Sequence, residues 1–247
     1  MRIVNGSRIR GQVRIVGAGL LGASIGLALR SKGVDTIVVD ASPGALSLAI
    51  DYGAGRAATD SDAPGLIVVA VPPDQTGSVI AQELAAFPEA IVTDVASVKV
   101  LPLAELHAAG LDTSRYVGSH PLAGRERGGA ISARADLFVG RPWVIATGNG
   151  ENADVVGVVE DLILDLDAIP VLMTAKEHDE SVALVSHVPQ VIATLLAKQL
   201  SDGSARALSL TGQGLRDTTR IASSDPTLWI QILAANSETV VDILRAF

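Results

Sequence analysis

The stretch Val13-Arg14-Ile15-Val16-Gly17-Ala18-Gly19-Leu20-Leu21-Gly22 joins a short apolar run to a turn that contains three glycines. Glycines at this spacing, directly after a predicted strand and at the start of a predicted helix, are typical of the turn that binds the pyrophosphate of a dinucleotide. Gly17 permits the tight turn, Gly19 lets the backbone approach the pyrophosphate at the helix N-terminus, and Gly22 lets the helix pack close to the strand. The predicted cofactor contacts here are Gly17, Gly19, Leu20, Leu21 and Gly22.

Short apolar runs separated by helix-length segments continue along the first part of the chain. The run 66–71 is hydrophobic at every position, as a parallel strand covered by helices on both faces requires. The pattern predicts an α/β fold with a Rossmann-type, doubly wound sheet. The predicted strands are 13–16, 36–39, 66–71, 90–93, 115–117, 143–146 and 170–172.

The hydrophobic pattern changes after Met173, where apolar residues follow a helical periodicity and short strand-like runs end. The predicted helices are 175–200, 203–221 and 226–247, and Asp225-Pro226 is a good start signal for the last one. We therefore predict a Rossmann-type domain over residues 1–173 and an all-helical domain over 174–247. Because no long Pro- or Gly-rich linker separates the two, we expect them to pack together with a cleft between them.

Composition narrows the class of partner. The 247 residues are 48% hydrophobic, and 19 Lys and Arg against 27 Asp and Glu give a formal charge of -8, so a nucleic-acid partner is not expected and the ligand should be small. There is no cysteine, which excludes disulfides, thiol nucleophiles and cysteine-based metal sites; no metal site is predicted. The uncharged run 15–29 contains four glycines and is too short to span a membrane, so we expect a cytoplasmic protein without a membrane partner.

Asp40 bears on the choice of cofactor. It ends the second predicted strand, at about the 20-residue separation expected for the acid that binds the adenosine ribose. A carboxylate there repels a 2′-phosphate, and no Lys or Arg follows in 41–43, so NAD is favoured over NADP. The alternative is that Asp40 only caps the helix that begins around Pro43.

Two further loops follow predicted strands at the carboxyl edge, where open α/β sheets bind ligands. Val71 and Pro72 lie in the first and are expected to face the cofactor, and Ser97 lies in the second, 93–99. For Ser97 the alternative is a helix N-cap for the segment beginning at Val98. His120 stands at the end of another strand between small residues, so its imidazole is presented for proton transfer near neutral pH.

Several segments together resemble, in order, the prephenate/arogenate dehydrogenase family. The resemblance spans nearly the whole chain, and its most specific parts are His-Pro-Leu-Ala-Gly at 120–124 and Asp-x-x-Arg-Ile-Ala at 217–222. The resembling segments are 17–22, 93–99, 118–124, His178-Asp179, Ser186-His187-Val188-Pro189, and 216–226 followed by Trp229.

The resemblance implies NAD-dependent oxidative decarboxylation of prephenate to 4-hydroxyphenylpyruvate in tyrosine biosynthesis. In that reaction a hydride leaves the hydroxyl-bearing ring carbon for NAD, and the ring carboxylate departs as carbon dioxide. On the family pattern His120 accepts the hydrogen bond from the ring hydroxyl and acts as the base, and Ser97 helps to hold that hydroxyl. Arg220 binds a substrate carboxylate, and its planar guanidinium suits that task; the alternative is a surface salt bridge with Asp217.

The same resemblance implies the remaining substrate-site residues and the assembly. Glu126 and Asp217 correspond to an acidic pair near the cleft mouth, Trp229 to a wall of the pocket, and His178 and His187 to residues that support or line the site. Family members commonly have a second histidine after Ser-His-Leu-Pro, where this chain has Gln190, which cannot be charged and offers an amide instead. We expect a homodimer formed through the helical domain, without an attached tyrosine-sensing module.

Other functions stay open at this point. Arogenate dehydrogenase is the nearest, since arogenate and prephenate share the ring chemistry and differ only in an alanyl or a pyruvyl side chain. A nicotinamide-sensing protein that has lost catalysis is a remote alternative, because a sensor has no need for His120, Ser97 and Arg220 together. A β-hydroxyacid dehydrogenase usually relies on a helical-domain lysine, and Lys176 and Lys198 lie in no convincing motif.

Overall fold

The computed structural model describes residues 6–123, 129–148 and 152–246. The chain forms two compact units, Met1–His178 and Asp179–Phe247.

The first unit is built on one eight-stranded sheet in the order β3-β2-β1-β4-β5-β6-β7-β8. Neighbouring strands are parallel except β6 and β7, which pair antiparallel. The α/β, Rossmann-type prediction is confirmed, and each predicted strand has a counterpart. The strands are β1 Gln12–Val16, β2 Asp35–Val39, β3 Arg56–Ala57, β4 Pro64–Val69, β5 Ile91–Asp94, β6 Tyr116–Pro121, β7 Pro142–Ala146 and β8 Ile169–Met173.

Helices lie between these strands and supply the apolar side chains that cover the sheet. Val13, Ile15, Val68 and Ile145 from the strands are fully or almost fully buried, which is why these runs are apolar throughout. The helices are α1 Leu20–Ser31, α2 Pro43–Asp51, α3 Pro73–Ala86, α4 Val100–Ala108 and α5 Ala153–Asp165, and α6 Ala175–Val182 runs from the first unit into the second.

The second unit is helical, as predicted, but its helices are shorter than the sequence pattern suggests. A π-helical segment, Ala183–His187, follows α6, and a 3-10 turn, Arg220–Ser223, follows α9. The predicted helix 226–247 is divided at Asn236, whose buried side chain donates to the Asp179 carbonyl at 2.8 Å. The remaining helices are α7 Val188–Ser201, α8 Ala205–Leu208, α9 Gln213–Thr219, α10 Pro226–Ala235 and α11 Ser237–Arg245.

The stretch Ala175–Ser201 is continuously helical over 27 residues and, by length and composition alone, could cross a membrane. Core helices of soluble proteins pass the same test. Only 33% of its most apolar window is buried within the protein, so apolar side chains of this helix lie at the surface.

Strand register brings the candidate loops to one edge of the sheet. Val16 pairs with both Val39 and Val69, Val69 pairs with Asp94, and Asp94 pairs with Gly118. The residues that leave the carboxyl ends of β1, β2, β4 and β5 therefore start at the same level, next to His120 in β6. Strand order reverses between β1 and β4, which is the point at which open α/β sheets bind ligands.

Candidate active site

The glycine turn at the end of β1 has the geometry that the sequence predicts. Gly17 has φ +109°, and a Cβ on it would lie 2.3 Å from the Ala70 carbonyl oxygen, so only glycine fits. A Cβ on Gly22 would lie 1.9 Å from the Gly17 carbonyl oxygen, which makes Gly22 the position of closest helix packing. Gly19 faces open space and is the N-cap residue of α1, and no side chain caps that end among the described residues. The first amides of α1 are thus accessible to an anion such as a pyrophosphate.

Asp40 ties the end of β2 to this turn. One carboxylate oxygen accepts the Ala18 N–H at 2.7 Å and the other accepts the Ser42 N–H, also at 2.7 Å. The cap of α2 is Ser42, whose hydroxyl accepts the Ala45 N–H at 3.3 Å. Asp40 therefore does not cap α2 directly; it holds the glycine turn and remains half-buried beside it.

Ser97 does not cap a helix. Helix α4 begins at Val100 with Lys99 in the N-cap position, so the alternative that Ser97 is the N-cap is wrong. The Ser97 side chain is half-buried in the loop between β5 and α4, at the carboxyl edge of the sheet. Val71 and Pro72, also predicted here, lie between β4 and α3, with Val71 half-buried and Pro72 exposed.

A buried polar network joins the Ser97 loop to the strand that carries His120. The Lys99 ammonium pairs with one oxygen of Asp94 and donates to the Ser119 carbonyl at 2.8 Å, and the Tyr116 hydroxyl donates to the other Asp94 oxygen at 2.7 Å. The Ser119 hydroxyl donates to the Asp94 carbonyl at 2.7 Å and accepts from the Trp143 indole at 3.0 Å. All five residues are at most 4% exposed. Burial and the neighbouring carboxylate raise the pKa of the Tyr116 phenol well above its ordinary value.

This network has a positioning effect because its members adjoin the candidate catalytic residues. Asp94 also accepts the Ala96 N–H at 2.8 Å, which fixes the backbone next to Ser97. A Cβ on Gly118 would lie 3.0 Å from the Tyr116 hydroxyl, so the glycine makes room for the network. An unpaired charge at such depth is costly, and the paired groups therefore hold the loop and β6 in one arrangement.

His120 lies in β6, where it pairs with Val144 of β7 and is half-buried. Its Nδ1 atom lies 2.8 Å from Nε2 of His178, a fully buried residue of α6. One of these nitrogens donates a hydrogen and the other accepts it. A His120 that takes a proton at Nε2 carries its other hydrogen on Nδ1, so His178 is placed to accept from it.

The start of α6 explains how His178 reaches this position. Thr174 and Glu177 form a capping box, in which the Thr174 hydroxyl accepts the Glu177 N–H at 3.1 Å and the Glu177 carboxylate accepts the Thr174 N–H at 2.8 Å. The bond from the Thr174 N–H lowers the pKa of Glu177. Because His178 follows Glu177 directly, the box fixes the first turn that carries its ring.

The histidine and tryptophan predicted in the helical unit lie together. His187, at the end of the π-helical segment, is 1% exposed, and its Nδ1 lies 3.3 Å from Nδ2 of Asn236. The Trp229 ring meets it edge to face, with centroids 6.0 Å apart. π-helical segments are frequent at functional sites.

Arg220, Gln190 and Asp217 also lie in this unit. Arg220 is exposed at the start of the 3-10 turn, and the Gln190 amide donates to the carbonyl of the next residue, Ile221, at 3.0 Å. Asp217 is exposed on α9 and accepts from the Gln213 amide at 2.7 Å. Glu126 lies outside the described residues.

Sequence reasoning missed the buried network, and it singled out His178 without predicting its contact with His120. Asp94 and Lys99 stand in the singled-out loop 93–99, but no pattern tells a buried ion pair from two surface charges. The contact between His120 and His178 joins residues 58 positions apart, a separation at which sequence periodicity carries no information.

Comparison with known proteins identifies the family of the chain. A family model described as "Prephenate dehydrogenase, nucleotide-binding domain" matches residues 25–172, and one described as "Prephenate dehydrogenase, dimerization domain" matches residues 174–247. A curated relative, the probable prephenate dehydrogenase NovF of Streptomyces niveus, is 42% identical over 94% of this chain, which spans 64% of the relative's length.

Solved structures extend the likeness. Prephenate dehydrogenase from A. aeolicus, crystallised with hydroxyphenyl propionate and NAD+, has a TM-score of 0.88 at 27% identity over 98% of this chain and 88% of its own. Synechocystis arogenate dehydrogenase has a TM-score of 0.78 at 26% identity over 95% of this chain and 87% of its own. The two family models together cover most of the chain, and the chain belongs to the prephenate dehydrogenase family.

Proposed function

We propose that this protein catalyses the NAD-dependent oxidative decarboxylation of prephenate to 4-hydroxyphenylpyruvate, a step of tyrosine biosynthesis. The observation that carries the proposal is the imidazole of His120 at the carboxyl edge of the sheet, with Nδ1 held 2.8 Å from His178 in a chain of this family. A base at the edge where a cofactor turn begins suits oxidation of a carbinol.

The residues present fit NAD. The open approach at Gly19, the start of α1, which no described side chain caps, and the tight turn at Gly17 suit a pyrophosphate. The Asp40 carboxylate has one bond to the turn and one to Ser42, and each oxygen keeps a second lone pair for a ribose hydroxyl. Leu20, Leu21, Val71 and Pro72 flank the same edge, and NAD supplies the hydride acceptor when it is bound.

Residues of the chain bind the substrate and accept its proton. His120, neutral at its Nε2, takes the proton of the ring hydroxyl, because loss of that proton makes departure of the hydride easier. Ser97 holds the hydroxyl, and the Asp94–Lys99 pair keeps the Ser97 loop in place. Arg220 binds a substrate carboxylate. Because the protein has a formal charge of -8, binding of an anionic substrate requires such a local cation. Trp229, which contacts His187 edge to face, is the proposed wall of the pocket. On the family resemblance, Glu126 and Asp217 are the acidic pair of this site.

Arogenate is the second candidate substrate. The resemblance to Synechocystis arogenate dehydrogenase favours it, and residues that bind the ring do not separate the two substrates. Discrimination depends on whether a donor or an acceptor meets the substrate's side chain.

We further propose a cytoplasmic homodimer that forms through residues 174–247, with 1–173 as the NAD-binding domain. Apolar side chains of the second unit are exposed, and a partner copy would remove them from water. They include Leu184, Val185, Ile192, Leu195, Leu210 and Ile230.

One assay tests the function. Purified protein with NAD is offered prephenate and arogenate separately while the absorbance of NADH is followed. We expect turnover with prephenate and formation of 4-hydroxyphenylpyruvate. Tight binding of NAD without oxidation of either compound would contradict the proposal and favour a nicotinamide sensor.

A further inference from the structure

Gln190 is a predicted substrate-binding residue that stands where relatives commonly have a histidine, so its task in this chain differs from theirs. It lies in the first turn of α7, is 4% exposed, and its amide nitrogen lies 3.0 Å from the Ile221 carbonyl oxygen and 3.4 Å from the Thr194 hydroxyl. A backbone carbonyl only accepts hydrogen bonds, so the nitrogen of the amide must face Ile221. Both N–H groups of the amide therefore point at partners within the second unit.

Ile221 belongs to the 3-10 turn that begins with Arg220. Hydrogen bonds within the turn hold its shape. The Ser223 hydroxyl donates to the Arg220 carbonyl at 2.9 Å. Ser224 donates to the Ile221 carbonyl from its hydroxyl at 2.7 Å and from its N–H at 3.1 Å. These bonds shape the turn but do not fix it against a neighbouring helix. The bond from Gln190 does, because it runs from α7 to the residue next to Arg220.

We propose that Gln190 is a positioning residue, which fixes the backbone of the Arg220 turn and thereby sets how tightly Arg220 holds the substrate carboxylate. This inference rests on the proposed function. Arg220 is exposed, and a long side chain loses rotamer freedom when it binds. A backbone that already points the side chain in one direction reduces that loss, so the effect of Gln190 falls on substrate affinity.

A direct contact between Gln190 and substrate predicts something different. In that case Gln190 and Arg220 contribute independently, and removing one leaves the contribution of the other intact. If Gln190 acts through Arg220, its contribution disappears once the guanidinium is gone. The two possibilities therefore separate in a double-mutant cycle.

The variant of choice is Gln190→Met, which keeps the length of the side chain and removes both donors. The Ile221 carbonyl retains its two bonds from Ser224, so the change leaves no buried acceptor without a partner. We expect KM for prephenate to rise about three- to tenfold, which corresponds to the loss of one hydrogen bond, with KM for NAD and the pH profile of kcat unchanged. Gln199→Met is the matched control, because Gln199 is exposed on the same helix.

The decisive measurement is kcat/KM for prephenate in the wild type, Gln190→Met, Arg220→Ala and the double variant. We expect the double variant to equal Arg220→Ala within a factor of about two, the usual scatter of additive changes. Multiplication of the two single effects would overturn the inference. Gln190→Asn, which keeps the amide but is one methylene shorter, gives a second cycle should Gln190→Met not fold. A wild-type chain that oxidises neither prephenate nor arogenate would instead refute the proposed function.

Discussion

Nδ1 of His120 and Nε2 of His178 lie 2.8 Å apart, and the two rings meet edge to face at 78°. His178 is fully buried, so its ring has little freedom to turn away. The contact restricts the orientation of the His120 ring, and one of the two nitrogens donates to the other. The proposed base role of His120 needs the tautomer with the hydrogen on Nδ1, in which Nε2 accepts the substrate proton. An orienting group behind a catalytic histidine is a recurring device in enzymes, usually a carboxylate. Here the group beside His120, the proposed base, is a second imidazole.

Replacing His178 with Ala tests this relationship. We expect kcat with prephenate to fall about 10- to 100-fold, a part of the 10²–10⁴ that a positioned base contributes, with a smaller change in KM. His178→Gln, which retains a side-chain donor and acceptor, should recover much of the loss. The measurement is steady-state kinetics alongside thermal unfolding. Equal losses in both variants, matched by equal falls in melting temperature, would indicate a packing role alone.

Replacing His120 itself should have the larger effect. His120→Asn is expected to lower turnover about 10²- to 10⁴-fold, because the base is lost, while NAD binding measured by fluorescence titration persists. In the wild type, activity should fall as the pH is lowered through the range in which imidazoles protonate, since only the neutral ring accepts the hydroxyl proton. His107→Asn, an exposed position on α4, is the control. Near-normal turnover of the His120 variant would show that the assigned base is wrong.

Much of the fold follows from the sequence because its signals are local. Buried parallel strands need apolar residues on both faces, and the run 66–71 has this pattern, although the strand itself ends at Val69. The two-residue strand β3 and the break at Asn236 were missed, since neither alters hydrophobic periodicity over more than a turn.

The candidate site is predictable only where a local backbone requirement marks a residue. Gly17 has a positive φ and Gly22 lies where the helix packs closely, and the spacing of the glycines predicts both requirements. The pair of Lys99 with Asp94 and that of His120 with His178 depend on tertiary packing. For such pairs the sequence supplies the residue types and not the contact.

Asp40 should control the choice between NAD and NADP. Asp40→Ser removes the carboxylate that a 2′-phosphate would meet, so we expect weaker use of NAD and a higher relative use of NADP. It also removes the acceptor of the Ala18 and Ser42 N–H groups, which loosens the turn and adds to the loss with NAD. The measurement is kcat/KM for both cofactors, with Asp51→Ser, exposed on α2, as the control. A wild-type preference for NADP would contradict the ribose assignment.

Tyr116 offers a spectroscopic test of the buried network. Burial and Asp94 raise the pKa of its phenol well above the ordinary value of 10.0, so the folded protein should resist its ionisation. The chain has two tyrosines, and Tyr52→Phe leaves Tyr116 as the remaining phenol. We expect the 295 nm absorbance of this variant to stay flat past pH 10 until the protein unfolds.

The sign of the linked stability effect follows from the raised pKa. The stabilisation by neutral Tyr116 is fully present below pH 10.0 and declines as the pH rises above it, because the unfolded state then ionises first. Asp94→Asn in the same background should lower the pH of the absorbance change, although it also breaks the pair with Lys99. A phenol that titrates near pH 10 in the folded protein would mean that Tyr116 is not buried beside Asp94.

The last prediction is that prephenate is used better than arogenate. The two side chains differ by a keto oxygen against an ammonium group, and an ammonium needs an acceptor, ideally a carboxylate. Asp217 is exposed and already accepts from the Gln213 amide at 2.7 Å, so we do not expect it to be the acceptor for the ammonium group. The proposed contact of Arg220 with a substrate carboxylate is available to either substrate, so it gives no advantage to the amine.

The comparison requires kcat/KM for both substrates at one pH and salt concentration. We expect a ratio in favour of prephenate, and we expect Asp217→Asn to leave that ratio unchanged within a factor of about two, because the change removes a charge that the amine does not use. A polar site discriminates strongly when a mismatch leaves a buried group without a partner. A wild-type ratio favouring arogenate by more than about tenfold, or roughly 1.4 kcal/mol in transition-state binding, would therefore require a carboxylate beside the amine. Loss of that preference in Asp217→Asn would then identify the carboxylate as Asp217.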